Sequence, residues 1–173
     1  MKKIFVLILV LSVLCASPFS VSAKTALSDG DSFSKCTYYD DGSYVITTLT
    51  VERIELTDSN LARSDEESYV LRARSRALGY DSSDELDWVV TLIGDFLVCP
   101  TCSLSGQCQS STLSAEIYDS SWGMYDVDER CMSNNAYGAC SMKDKFLGIT
   151  MKIVDLELII TCDRYGNLSV LGQ

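Results

Sequence analysis

"DWVVTLIGDFLV", residues 87–98, decides the fold. Trp88, Val90, Leu92, Gly94, Phe96 and Val98 fall at every second position. Asp87, Thr91 and Asp95 occupy the other set, with Val89, Ile93 and Leu97. Successive side chains of a strand point to opposite faces, so one face here is wholly apolar. That pattern marks a central strand laid against a core, and it runs straight into Cys99.

The stretches on either side carry the same period. "SYVITTLTVERIEL" (43–56) alternates at Val45, Thr47, Leu49 and Val51 and is rich in β-branched residues, so a strand is expected. "ESYVLRARSRALGYD" (67–81) has two readings. Ser64 and Glu67 are spaced as a helix capping box, and Gly79 can close a helix. Against this, Val70, Arg72, Arg74 and Arg76 alternate with Leu71, Ala73 and Ser75, and the turn "YDSSDE" leads into the central strand. A strand is the favoured reading.

Downstream, "TLSAEIYDSSW" (112–122) reads as a short strand and "MYDVDERC" (124–131) as a weaker one. "AYGACSMKDKFLG" (136–148) and "ITMKIVDLELIITC" (149–162) form an expected hairpin. In its second arm Val154, Leu156, Leu158, Ile160 and Cys162 share a face, whereas Ile149, Met151 and Ile153 are out of phase with them. Such a slip predicts a β-bulge or a strand that serves two sheets. "LSVLG" (168–172) closes the chain as a last short strand. Seven to nine strands without an amphipathic helix predict an all-β fold: an antiparallel β-sandwich, immunoglobulin-like, stapled by disulfides.

Residues 1–23 read as a cleaved secretory signal peptide. Lys2 and Lys3 precede an apolar run from Ile4 to Cys15, and Val21-Ser22-Ala23 places small residues at the cleavage site. Residues 24–42 are a polar lead-in, and 43–173 form a single sandwich domain. The protein is therefore expected outside the cell, secreted, with no membrane association after cleavage. The whole chain carries 14 basic against 24 acidic residues, a net charge of −10. Loss of the two leading lysines makes it −12. Such a surface repels phosphate backbones, so nucleic acid is not an expected partner.

The chain has no histidine, which excludes Ser-His-Asp and Cys-His catalysis. Cleavage removes Cys15 and leaves seven cysteines: Cys36, Cys99, Cys102, Cys108, Cys131, Cys140 and Cys162. Outside the cell these are disulfide candidates first. An odd count leaves one for a free thiol or a disulfide-linked dimer. Inward-facing Cys162 calls for a partner from the loop after the central strand. Cys108 is the first choice, with Cys99 or Cys102 behind it. Cys131 and Cys140 bracket the turn "MSNNAYGA" and can close a local loop. Cys99-Pro100-Thr101-Cys102 resembles a redox step or half a zinc knuckle. It has neither the following helix nor the second knuckle that those chemistries use. No metal and no cofactor are expected.

"DGSYVITTLTVE", "LDWVVTLIGDF", "AEIYDSSW" and "LGITMKIVDLELIITCDRYGNLS" together resemble a family of small secreted proteins from Gram-positive, often gut-dwelling, bacteria. That family has no established function, and the resemblance spans roughly residues 41–171. It implies a structural bridge between Cys108 and Cys162 and carries over no catalytic residue. Cys99, Cys102, Cys131 and Cys140 depart from the plainer family pattern.

Acid clusters at Asp40/Asp41, Asp65/Glu66/Glu67, Asp81/Asp84/Glu85/Asp87 and Asp126/Asp128/Glu129 lack EF-hand spacing and read as solvated turns. Trp88 belongs to the core. Trp122, Tyr118 and Tyr125 are the candidates for a binding surface. Three functions are weighed. A non-enzymatic extracellular module that binds a protein or glycan is preferred, because no residue pattern demands chemistry. A thiol-redox or zinc-binding protein using the Cys99–Cys108 cluster is the alternative. A hydrolase using paired carboxylates is third, since only spatial separation would identify its pair.

Overall fold

A computed structural model describes residues 32–54, 68–99 and 105–172. The described residues form nine strands and no helix. β1 is Ser32–Tyr38, β2 Tyr44–Ile54, β3 Tyr69–Tyr80, β4 Leu86–Val98 and β5 Gln107–Ile117. β6 is Trp122–Met132, β7 Asn135–Phe146, β8 Ile149–Cys162 and β9 Leu168–Gly172. All pairings are antiparallel. One sheet runs β1-β2-β3-β4-β5 and the other β6-β7-β8-β9. Each order follows the chain, so the two layers are consecutive meanders. The Greek-key crossings of an immunoglobulin domain do not occur among the described strands.

The central strand behaves as its alternation requires. Trp88, Val90, Leu92, Phe96 and Val98 of β4 are each 1% exposed or less. They pack in one cluster with Met142 of β7 and Val154, Leu156, Leu158 and Ile160 of β8. Each such side chain contributes about 1.5–3 kcal/mol by leaving water. Gly94 interrupts this apolar face for a geometric reason. A Cβ there would lie 2.6 Å from the Cβ of Ala136 on the opposite sheet, so the layers approach closely at a point where neither has bulk. Gly79 likewise leaves room for Trp88, whose ring a Cβ would meet at 2.2 Å.

The ambiguous stretch is a strand. Leu71, Ala73, Ser75 and Ala77 of β3 are buried, and the arginines between them lie on the outer face. The polar stretch before residue 43 contains β1, which pairs with β2 from Ser32↔Thr50 to Tyr38↔Tyr44. The long hairpin contains a bulge, as expected. Asp144 pairs with Lys152 but Lys145 with Thr150, so Met151 is the extra residue. Beyond it Val154, Leu156, Leu158, Ile160 and Cys162 face inward, while Ile149, Met151 and Ile153 stay exposed.

Ser75 is fully buried, and its Oγ is without a hydrogen-bond partner. A buried polar group left unpaired costs about 1–3 kcal/mol. Ser75→Ala removes the hydroxyl at the loss of one atom. It should raise the free energy of unfolding in urea by about 1 kcal/mol, with the slope unchanged.

Candidate interaction surface

Cys108 is bonded to Cys131, with Cα atoms 5.6 Å apart. These residues lie on β5 and β6, the strands where one meander hands over to the next. The bond therefore ties the two sheets together along one side. With a sequence separation of 23 it contributes about 3 kcal/mol in the chain-entropy model. This corrects both expected pairings. Cys162 faces the core beneath β9, fully buried and free, and burial followed by Asp163 pushes its thiol up to about 12. Cys140 sits opposite Leu156, four residues beyond the Ala136 that pairs with Cys131. That spacing, about 13 Å along a strand, is too long for a bridge. Cys140 is also free, and burial followed by Asp155 raises its thiol to about 11. Both behave as small apolar side chains.

Cys99 is buried and disulfide-bonded, with its partner outside the described residues, as is Cys102. The Cys99 N–H donates to Ser105 Oγ, which donates to the Arg164 carbonyl at 2.6 Å. Gly106, at φ +83°, lies where a Cβ would be 2.5 Å from the Asp163 carbonyl. The end of this loop is thus seated on the 163–166 turn. Cys36 is an exposed free thiol on the outer strand β1. Among the described residues no group of three or more Cys, Asp or Glu is placed to hold a metal ion. Several acids have local roles: Asp81 accepts from the N–H groups of Ser83 and Glu85, and Asp163 from those of Tyr165 and Asn167.

The three aromatic candidates part company. Trp122 turns inward, 5.9 Å from Trp88, and helps to line a small open pocket of about 10 Å³ at one end of the sandwich. Tyr39, Ser43, Asp87 and Lys152 line it too. Lys152 Nζ reaches Asp41 Oδ2 at 2.6 Å and also meets Ser43 Oγ, so β8 is latched to the β1–β2 turn. Tyr118 is exposed and donates to Glu116, away from the other two. Tyr125 lies on the outer face of the four-stranded sheet, its ring over Gly123. Lys143 Nζ and Lys145 Nζ sit 5.2 and 3.9 Å from the ring centroid.

Gly123, Lys143 and Ile153 are register partners across β6, β7 and β8. Tyr125 and the two lysines therefore share the outer face with Ile153, whereas Phe146 pairs with Ile149 on the face of Asp144 and Lys152, so the exposed apolar side chains gather about the end of the β7–β8 hairpin. Phe146 is 66% exposed, Leu147 87%, Ile149 67%, Met151 65% and Ile153 53%. Regular alternation from Lys152 onward turns Lys152 inward to its ion pair and leaves Ile153 facing water. Sequence reasoning found the apolar phase but assigned it no surface. Comparison with protein families, with curated proteins and with solved structures finds no match.

The pocket also sets a pH dependence. Burial, then Asp81, Asp119 and Asp144, raise the Asp87 carboxyl to about 6, with Lys152 offsetting part of the effect. A raised folded-state value means that the native protein holds the proton more tightly. Asp87 thus stabilises below its unfolded value and weakens the fold as pH rises through about 6. Asp41 has the opposite sign, because Lys152 and then Ser43 hold its carboxyl well below the usual range. Asp87→Asn should raise stability at pH 7.5 by about 1 kcal/mol, after discounting for partial exposure. Denaturation at a series of pH values should show that gain vanishing by about pH 4.

Proposed function

We propose that this is a secreted, non-enzymatic binding module that holds a protein partner outside the cell on the exposed apolar end of the β7–β8 hairpin. The exposed side chains of Phe146, Leu147, Ile149, Met151 and Ile153 carry the reading. Large apolar side chains gathered on one exposed hairpin are uncommon on monomer surfaces and mark interaction sites. Aromatic residues and methionine are also the types enriched at interface cores. Lys143 and Lys145 beside Tyr125 add a basic rim in a chain of net charge −10. That rim favours a partner with an apolar centre and acidic edges. The alternative thiol or zinc reading of Cys99–Cys108 is weaker, because Cys108 is committed to Cys131.

The test is retention of partner from the native culture medium by immobilised protein. Ile149→Ser with Ile153→Ser should lower retention about tenfold or more, since central apolar contacts carry most interface energy. The exposed positions should leave thermal unfolding almost unchanged. Equal retention by the variant and the parent protein would overturn the reading.

A further inference from the structure

The opposite side of the molecule presents a different chemistry. Arg72, Arg74 and Arg76 alternate with the buried residues of β3 and so share the outer face of the five-stranded sheet. Arg72 is committed: Nε and Nη2 donate to the two oxygens of Asp95 at 2.8 and 3.0 Å. Ser110 completes that arrangement by donating to Asp95 Oδ2 at 2.8 Å. Arg74 and Arg76 have no ion pair among the described residues, although acids outnumber bases 24 to 14. Two residues apart on a strand, their Cα atoms are separated by about 7 Å.

Hydroxyl side chains flank the two arginines across the sheet, and an apolar row of Ile46, Leu78 and Val89 separates them from the sheet's end. Arg76 lies between Thr48 and Thr91 in the register, and Thr91 is followed by Ser114. Arg74 lies between Thr50 and Ile93, followed by Thr112. The same face ends in an aromatic row. Tyr38 and Tyr44 have ring centroids 5.5 Å apart, and Tyr44 and Tyr80 are stacked at 4.9 Å. Tyr38 is 74% exposed.

We propose that the outer face of the five-stranded sheet binds an acidic polysaccharide, its carboxylate or sulfate groups held by Arg74 and Arg76 and a neighbouring sugar ring stacked on the tyrosine row. A guanidinium matches such anions with two parallel hydrogen bonds. Threonine and serine hydroxyls can both donate to and accept from sugar hydroxyls. An aromatic face suits the apolar side of a pyranose ring. Guanidinium groups, hydroxyls and tyrosine rings on one sheet face fit an extended glycan better than an acidic peptide, which would have no use for the tyrosines. The site lies on the other sheet from the proposed protein-binding face and stands independently of it.

Titration with polygalacturonate oligomers, their methyl esters and poly-glutamate, at low and raised salt, tests the proposal. The uronate oligomers should bind in a salt-dependent way and their uncharged esters about tenfold more weakly. Arg74→Gln with Arg76→Gln should remove most of that binding, and Tyr38→Ala should weaken it several-fold. Should the double variant fail to fold, Arg74→Gln alone, at the exposed position, should still weaken binding several-fold. Ile149→Ser with Ile153→Ser should leave it unchanged, which separates this site from the other face. No uronate binding, or undiminished binding by the arginine variants, would overturn the proposal. Equal affinity for poly-glutamate with no effect of Tyr38→Ala would overturn the assignment to a glycan.

Discussion

The molecule depends on the contact between the inward face of β4 and the facing strands β7 and β8. Two meanders in sequence have no crossing strand to force them together, so side-chain burial must join the layers. β4 supplies Trp88, Val90, Leu92, Phe96 and Val98 at one residue in two, and Gly94 lets the backbone approach Ala136. Two further links act at the margins. The Cys108–Cys131 bond closes the side where β5 meets β6, and the Lys152–Asp41 pair latches the end near Trp122. With the inner faces so occupied, the functional possibilities of the chain move to the two outer faces.

Those outer faces differ because of two local sequence choices. In β8 the apolar residues change face along the strand: Val154, Leu156, Leu158 and Ile160 lie inward, whereas Ile149, Met151 and Ile153 are exposed and Lys152 turns inward to Asp41. In β3 the arginines alternate with small buried residues, so basic charge gathers on the other face of an otherwise acidic protein. One face offers apolar contact with a basic rim, and the other offers guanidinium groups, hydroxyls and tyrosine rings.

Much of the fold was legible in the residues, because a period of two survives any detail of packing. The strand at 87–98 and the preference for a strand in 67–81 follow from that period; the out-of-phase apolar residues of the long hairpin are exposed ones, and its bulge is a feature of the register with β7. β1 was not legible. It lies at the edge of its sheet, and its residues 34–38 are all exposed, so burial imposes no alternation on them. The immunoglobulin-like connection was not legible either, since strand patterns are the same in a meander and a Greek key. The disulfide partner of Cys108 depends on which sheet edges meet, and cysteine spacing does not encode that. Of the aromatic candidates, Tyr125 reached the exposed face, whereas Trp122 was drawn inward by Trp88. Arg74 and Arg76, without an ion pair among the described residues, were visible as an alternation. Their freedom emerged only when Asp95 proved to serve Arg72 alone among them.

The central claim is that two consecutive meanders close upon each other where β5 meets β6. Peptide mapping of the unreduced, alkylated protein addresses it most directly. The account predicts a Cys108–Cys131 linkage, with Cys140 and Cys162 alkylated only after unfolding. A Cys108–Cys162 or Cys131–Cys140 linkage would contradict it, because neither pair can form while Cys108 is bonded to Cys131 and Cys140 and Cys162 are buried in the core.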